Sequence, residues 1–286
     1  MKILITGARG NLASALIPRL LATGHELVLY DIEPIKPSED YTEVQGDIRD
    51  AGALTHAMRG CEAVFHTIAY HGVSLDSRNY DDYYGVNATG THNILRAMLL
   101  NDVKALVFSS SDMVYGEGMR GKRVMDETVP TIPNNIYSLT KMLGEDMCRY
   151  YARKHNFNIA ILRYGCFIPA DWKMAGLGRL NNWLDKDDAA QANELALGAV
   201  LAEDFACEAF LVQSAKPFAD EDWPELGTNP DAVIERYYPG TLELLAAHHL
   251  HLPRVHLRYN IDNAITRLGY DPQHNFEQFL SQLRRS

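Results

Sequence analysis

The sequence predicts an α/β fold: a doubly wound parallel sheet with helices on both faces and a small C-terminal lobe. Three observations carry that expectation. Short apolar runs alternate with helical stretches, with few interruptions, up to residue 165. A glycine-containing turn joins the first apolar run to the first helical stretch. Beyond Cys166 the alternation breaks, the elements shorten, and Pro, Gly and Asn become more frequent. The expected division is 1–165 for the sheet domain and 166–286 for a smaller lobe interleaved with the sheet.

The elements follow in order. Lys2–Ile5 reads as a buried strand. Asn11–Thr23 has helical periodicity and stops at Gly24, a residue that tolerates the left-handed cap. Pro18 lies inside that helix, where it removes the bond to the Ser14 carbonyl and should kink it. Glu26–Tyr30, Tyr41–Gln45 and Ala63–Ile68 read as further strands, the last followed by a loop rich in Tyr, His and Ser. Tyr83–Leu100 is a long helix, and Ala105–Phe108 a strand running into Ser109, Ser110 and Ser111. Ile136–His155 is a second long helix, and Ile159–Leu162 a sixth strand.

Composition narrows the function. Hydrophobic residues are 47% of the chain and charged residues 22%, which fits a globular protein and excludes disorder. Acidic residues outnumber basic ones 37 to 27, for a net charge of −10. A chain this acidic is unsuited to general nucleic-acid or anionic-membrane binding, which needs clustered Lys and Arg. Cys61, Cys148, Cys166 and Cys207 form no Cys-x-x-Cys pair and read as reduced thiols. Cys166 has no assignable His or Asp partner to activate it as a nucleophile. No apolar run suits a membrane span, and the start resembles no signal peptide, so a cytoplasmic location is expected. His248, His249, His251 and His256 cluster in sequence but lack acidic or Cys ligands at matching spacing, so no metal site is expected.

The turn Thr6–Ala13 sits where a dinucleotide fingerprint requires it. Gly7 and Gly10 let the backbone turn and approach a pyrophosphate. Asn11 and Leu12 open the helix whose free N–H groups face the phosphates. Asp31 ends the second strand, near the ~20-residue offset at which an acidic residue accepts the adenosine ribose hydroxyls. Its carboxylate repels a 2′-phosphate, which favours NAD over NADP, while Arg9 argues weakly the other way. The expected fold is therefore Rossmann-type.

Tyr137 and Lys141 are one helical turn apart on a common face. An ammonium there would lower the tyrosine pKa from ~10 toward working pH. The tyrosine could then accept a hydroxyl proton as hydride leaves the same carbon. Ser111, at a strand end, could hold the substrate oxygen in register.

These motifs together resemble the extended short-chain dehydrogenase/reductases of the NAD-dependent epimerase/dehydratase group. The resemblance runs continuously over residues 1–165 and rests on the Thr6–Ala13 loop, Gly46-Asp47-Ile48, the His66–Ala69 strand end, Asn87 with Gly90-Thr91, Ser109–Gly116 and Tyr137-x-x-x-Lys141. It continues more loosely over Asp185–Ala192 and Asn260–Pro272. It implies that Asp47 and Ile48 contact adenine, that Ala69 and Asn87 line the cofactor path, and that His71 and Ser74 are substrate contacts. It also implies homodimers packed through Tyr83–Leu100 and Ile136–His155.

The departures from the family pattern are informative. The dehydratase branch has Asp-Glu where this chain has Asp112-Met113, and a methionine cannot serve as base. Sugar-nucleotide epimerases have Leu-Arg-x-x-Asn and a long nucleotide-binding segment. Here Leu162-Arg163-Tyr164-Gly165-Cys166 lacks the Asn, and Trp183-Leu184-Asp185 follows soon after. That shortening is similar to uronate dehydrogenases, although those have Asn-His at the Asp112-Met113 positions. The Asp112 carboxylate would repel a uronate and suit a neutral sugar or polyol, while Arg179 could pair an anionic group. The expectation is an NAD-dependent oxidoreductase acting on a small sugar or polyol. The alternatives are an epimerase with tightly held NAD, or a non-catalytic dinucleotide sensor that the Ser-Tyr-Lys set argues against.

Overall fold

The computed structural model describes residues 1–121, 124–255 and 258–286. Strands β1 (Lys2–Thr6), β2 (Glu26–Asp31), β3 (Tyr41–Gln45), β4 (Ala63–His66) and β5 (Ala105–Ser111) belong to one parallel sheet. A short β6 (Val124–Met125) lies apart from it, and β7 (Asn158–Tyr164) and β8 (Cys207–Val212) complete its seven strands. β6 pairs with β9 (Arg258–Tyr259). The spatial order is β3-β2-β1-β4-β5-β7-β8. The chain builds outward from β1 in one direction and from β4 in the other. The order therefore reverses between β1 and β4, and a crevice opens there at the carboxyl ends of the strands.

The central strands are largely apolar because both faces are covered, whereas the edge strand β3 is mostly exposed. Ile3, Ile5, Leu27, Leu29, Phe65 and Val107 point to one side, against α1 (Asn11–Ala22), α7 (Lys186–Leu201) and α11 (Asp262–Leu268). Leu4, Val28, Val64, Leu106 and Phe108 point to the other, against α2 (Ala51–Ala57), α4 (Gly90–Leu100) and α5 (Ile136–His155). This is the two-residue alternation of a strand. A third core lies away from the sheet. Leu180, Phe218, Leu226, Val233, Leu245 and Phe279 fill it, from segments around α6 (Trp172–Gly178), α8 (Trp223–Leu226), α9 (Pro230–Tyr237), α10 (Thr241–Ala247) and α12 (Phe276–Leu283).

Residues beyond 165 divide between the sheet and the third core: β8 joins the sheet, while α7 and α11 cover it. Several elements differ from the sequence expectation. The six-residue β8 finds its partner only through β7, so nothing local announces it. α2 has seven residues and depends on the Asp50 carboxylate, which accepts the Gly52 and Ala53 N–H groups. The long helix expected from Tyr83 starts at α3 (Tyr80–Tyr83) and passes through a π turn, Tyr84–Thr89, before α4. Pro18 lies within α1, whose helical span continues past it to Ala22. Among the described residues no helix is long and apolar enough to cross a membrane.

α5 carries Tyr137 and Lys141, and three features fix its position. Asn135 and Ser138 form a capping box at its start. Gly144 permits close approach to the sheet, since a Cβ there would lie 2.6 Å from Phe108 Cζ. One turn beyond Lys141, the fully buried Glu145 meets Arg163 of β7. Arg163 Nε donates to Glu145 Oε1 at 2.9 Å and Nη2 to Oε2 at 2.7 Å. Ser110 Oγ donates to Oε1 at 2.7 Å and Arg149 Nη2 to Oε2 at 2.7 Å. Burial opposes the charge on Glu145, but the Arg163 bonds and charge outweigh it and hold the carboxyl below its ordinary pKa.

Removing one partner of a buried ion pair strands the other charge. Arg163→Met should therefore cost on the order of 3–5 kcal/mol of stability, measured by urea denaturation near pH 7. Adding Glu145→Gln should recover part of that loss. A cost near zero for the single variant would show that Glu145 carries no buried charge.

Candidate active site

The turn after β1 is built for close approach. Gly7 has φ +74°, and a Cβ on it would lie 2.7 Å from Thr67 Oγ1 and 3.0 Å from the Ile68 nitrogen. Only glycine fits both the angle and the space. Gly10 caps α1 and offers no side chain to do it. The first bond into the helix is Ser14 N–H to the Gly10 carbonyl, 3.1 Å, so the preceding N–H groups face outward. An uncapped helix start beside a left-handed glycine suits a dinucleotide pyrophosphate.

Asp31 is buried at the end of β2. Its Oδ2 accepts the Arg9 N–H and its Oδ1 the Glu33 N–H, each at 3.0 Å, which fixes the carboxylate at the sheet edge. The Arg9 guanidinium donates to the Pro34 carbonyl at 2.8 Å. Asp47 is paired with Arg49, whose hydrogen bonds hold its carboxyl below the ordinary value. Ile48 is buried and its carbonyl accepts from Asn93 Nδ2 at 3.1 Å. Asn87 lies in the π turn and clamps the loop that holds Ala69. Its Oδ1 accepts the Tyr70 N–H at 2.8 Å, and its Nδ2 donates to the Tyr70 carbonyl at 3.1 Å and to Thr140 Oγ1 at 3.0 Å. Asn87 thus fixes the loop after β4 through the Tyr70 backbone.

From Gly10, Asn11 and Leu12 a cavity of about 860 Å³ extends over the ends of β5 and β7. It brings together Ser111, Tyr137, Lys141, Asp112 and His71 with the cofactor loop. Asn11 Nδ2 donates to the Phe167 carbonyl at 2.5 Å, which ties that loop to the segment after β7. Two of the expected substrate contacts, Arg179 and Ser74, do not line this cavity. Arg179 Nη2 pairs with Asp185 at 2.8 Å and its Nη1 donates to Gln278 Oε1 at 3.1 Å, so its charge serves the α6–α7 junction rather than the cavity. Ser74 ends a 3₁₀ turn, and its carbonyl accepts the Ser77 and Arg78 N–H groups at 3.0 and 3.1 Å, beyond the cavity wall.

The ionisable groups here are set by burial. Lys141 Nζ donates to the Ser109 carbonyl at 2.7 Å, and burial pulls its pKa down to about 7. Burial also raises Tyr137 well above its ordinary pKa, against the effect of the Ser111 hydroxyl facing it. Desolvation of the phenol thus opposes the depression expected from Lys141. His66 bridges Thr6 Oγ1 at 3.1 Å and Thr91 Oγ1 at 2.9 Å, and burial lowers its pKa to about 3. His71 opens onto the cleft, yet the surrounding protein and the Lys141 charge bring it down to about 4.

Asp112 is buried with three neighbours. Oδ2 accepts from Asn182 Nδ2 at 3.0 Å and from Gln213 Nε2 at 3.3 Å, and Ser111 Oγ lies 3.5 Å from Oδ1. Burial still raises its pKa, to about 6. With the Gln213 amide turned over, its nitrogen donates to the Asn182 carbonyl at 3.1 Å and its oxygen accepts the Gly165 N–H at 3.2 Å. Asn182 and Gln213 were not singled out from the sequence. Recognising Cys207–Val212 as a strand would have placed Gln213 at the carboxyl edge where ligands bind.

Among the described residues, His248, His249 and His251 join no group of converging ligand atoms, and His256 lies outside those residues. Asp185, Asp187 and His274 do converge, but Asp185 is bound to Arg179 and His274 Nδ1 lies 3.0 Å from Asp188.

A parallel sheet, a glycine turn at its switch point and a Ser-Tyr-Lys set beside it define a dinucleotide-dependent oxidoreductase. The model of the NAD dependent epimerase/dehydratase family matches residues 3–168. A uronate dehydrogenase of Pseudomonas syringae is 31% identical over 198 residues, covering 68% of this chain and 69% of that protein. An L-arabinose 1-dehydrogenase (NAD(P)(+)) of Haloferax volcanii is 32% identical over 183 residues, covering 59% and 68%. A short-chain dehydrogenase/reductase superfamily protein from Agrobacterium tumefaciens, solved with bound NAD, has the same fold, with TM-score 0.76, 21% identity and coverage of 100% and 97%. The chain belongs to the NAD-dependent epimerase/dehydratase family and is an NAD-dependent enzyme.

Asp112 generates a signed stability prediction. Its folded pKa of about 6 exceeds the ~3.9 of an unfolded chain, so the folded state binds this proton more tightly. The stability from that preference is complete below about pH 4 and is lost as pH rises through about 6. Asp112→Asn removes the loss. The stability of the variant relative to wild type should rise between about pH 4 and 6 and level off above, in urea midpoints taken across that range. A flat difference would mean that Asp112 is not desolvated.

Proposed function

We propose that the protein oxidises a hydroxyl group of a small, uncharged sugar or polyol with NAD. The observation that carries this reading is the single cavity shared by Ser111, Tyr137, Lys141, Asp112 and the cofactor loop. The Gly7 turn and the open start of α1 take the pyrophosphate, and Asp31 takes the adenosine ribose. Asp47, Ile48, Ala69 and Asn87 shape the adenine and cofactor path. Bound NAD supplies the hydride acceptor. Ser111 holds the reacting hydroxyl, and Tyr137 accepts its proton as the carbon–oxygen double bond forms. Positive charge from Lys141 and the oxidised nicotinamide offsets the burial that keeps Tyr137 protonated in the free protein.

Asp112 supports an uncharged substrate. A second carboxylate beside it would meet repulsion in a desolvated site. Trp172, Lys173 and Arg179 lie on the short segment between Cys166 and Trp183. Lys173 sits 5.7 Å over the Trp172 ring and Arg179 is paired with Asp185, so neither is arranged as a diphosphate cradle. This disfavours a sugar-nucleotide epimerase. The same reading includes a cytoplasmic homodimer packed through α4 and α5, whose surfaces carry exposed Leu99, Leu100, Leu139 and Tyr150.

Two measurements test it. Tyr137→Phe should lower turnover by roughly 10²–10⁴ while NAD still binds, read from NADH absorbance and from calorimetry. Wild-type turnover in that variant would remove Tyr137 from the mechanism. Asp31→Ala should weaken NAD binding by on the order of 1.5–3 kcal/mol and narrow the preference over NADP. Tighter binding of NADP than NAD by the wild type would overturn the role given to Asp31.

A further inference from the structure

We propose that the substrate is a deoxygenated neutral sugar carrying a methyl group, of the 6-deoxyhexose class. The inference rests on the reading of the protein as an NAD-dependent sugar dehydrogenase and names what the rest of its cavity selects. Several polar groups that can meet ring hydroxyls, His71 among them, line the cavity beside the reacting position. Ser111 and Tyr137 serve the reacting hydroxyl. Asp112, oriented by Asn182 and Gln213, can accept from one neighbouring hydroxyl, and Asn182 lines the same wall.

Much of the remaining wall is apolar. Val73, Met113, Phe167, Ile168 and Pro169 line it. Met113 offers only a thioether there, which donates no hydrogen bond and accepts one weakly. It is also held against the site: Gly72 fits between its thioether and the Tyr137 ring, and a Cβ there would lie 3.0 Å from Met113 Sδ and 3.5 Å from Tyr137 Cδ1. Val73 is 66% exposed and Met113 36%, so both present apolar surface that a ligand can cover. Lys141 is the one Lys or Arg lining the cavity among the described residues, and its ammonium is bound to the Ser109 carbonyl.

A hydroxymethyl or carboxylate pressed on that wall would lose water and gain no partner. A methyl group would lose nothing and bury apolar surface. A ring with two adjacent hydroxyls at Ser111–Tyr137 and Asp112, and a methyl against Met113, Val73 and Ile168, satisfies both parts of the cavity. An apolar pocket of this kind discriminates only moderately against an added hydroxyl, by roughly 10- to 100-fold.

The test is a kcat/KM comparison at saturating NAD, reading NADH absorbance, with sugars that differ only at carbon 6. D-galactose is set against D-fucose, D-arabinose against L-fucose, and D-galacturonate against both hexoses. The expected result is at least a tenfold preference for a 6-deoxyhexose over its parent hexose and over the pentose, with little turnover of the uronate. Met113→Gln, which puts a hydrogen-bonding group on the wall, should reduce that preference about tenfold with NAD affinity unchanged. Equal turnover of hexose and 6-deoxyhexose, or a pentose as good as either, would overturn the inference and leave the dehydrogenase reading standing. Turnover of the uronate alone, or of no sugar, would overturn both.

Discussion

Glu145 is fully buried, and it keeps its charge only because Arg163 meets it with two parallel hydrogen bonds. The arrangement of the site depends on that pairing. Glu145 sits one turn after Lys141 on α5, Arg163 lies near the end of β7, and Ser110 joins the pair from β5. Helix and sheet are therefore locked in register where Ser111 faces Tyr137. The lock extends outward, because Arg163 also donates to the Tyr115 hydroxyl at 3.2 Å and stacks over its ring. A buried ion pair adds little stability of its own but penalises every arrangement that separates its members. Here that penalty fixes the relative position of two elements that both carry site residues.

The same desolvation governs the other ionisable groups, with opposite consequences. Glu145 has a full guanidinium partner and stays charged. Asp112 has amides and a hydroxyl, and its pKa rises. Lys141 has a carbonyl, and its pKa falls. Tyr137 and His66 are held neutral. Asp112, with a pKa of about 6, and Lys141, with one of about 7, are the groups here whose charge changes near neutral pH. Such a site responds strongly to a cationic ring or a substrate charge, because little water remains to screen either.

The proposed preference for a small substrate rests on chain length rather than on charge. The segment between β7 and α7 holds only α6 and short connections, and it is pinned to the cofactor loop through Asn11 and Phe167. That contact closes the cavity with apolar residues close to the reacting position. A longer insertion would have room for a nucleotide platform, which α6 and its brief connections do not provide.

Much of this was legible in the sequence. Strands such as Tyr41–Gln45 and the helix Ile136–His155 follow from local periodicity and caps, which are properties of neighbouring residues. The glycine loop, Asp31 and the Ser111, Tyr137 and Lys141 set follow from the chemistry each spacing requires. What the sequence could not determine is what depends on distant partners. β8 exists because β7 offers an open edge, and with it come Gln213 and the wall around Asp112. Arg179 reads as a free cation until the fold brings Asp185 and Gln278 to it. Tyr137 and Lys141 are one turn apart in any helix, but their protonation is set by the protein mass that the tertiary structure packs around them. Local sequence specifies the groups and their spacing; burial and long-range pairing, which only the folded chain supplies, determine their charge.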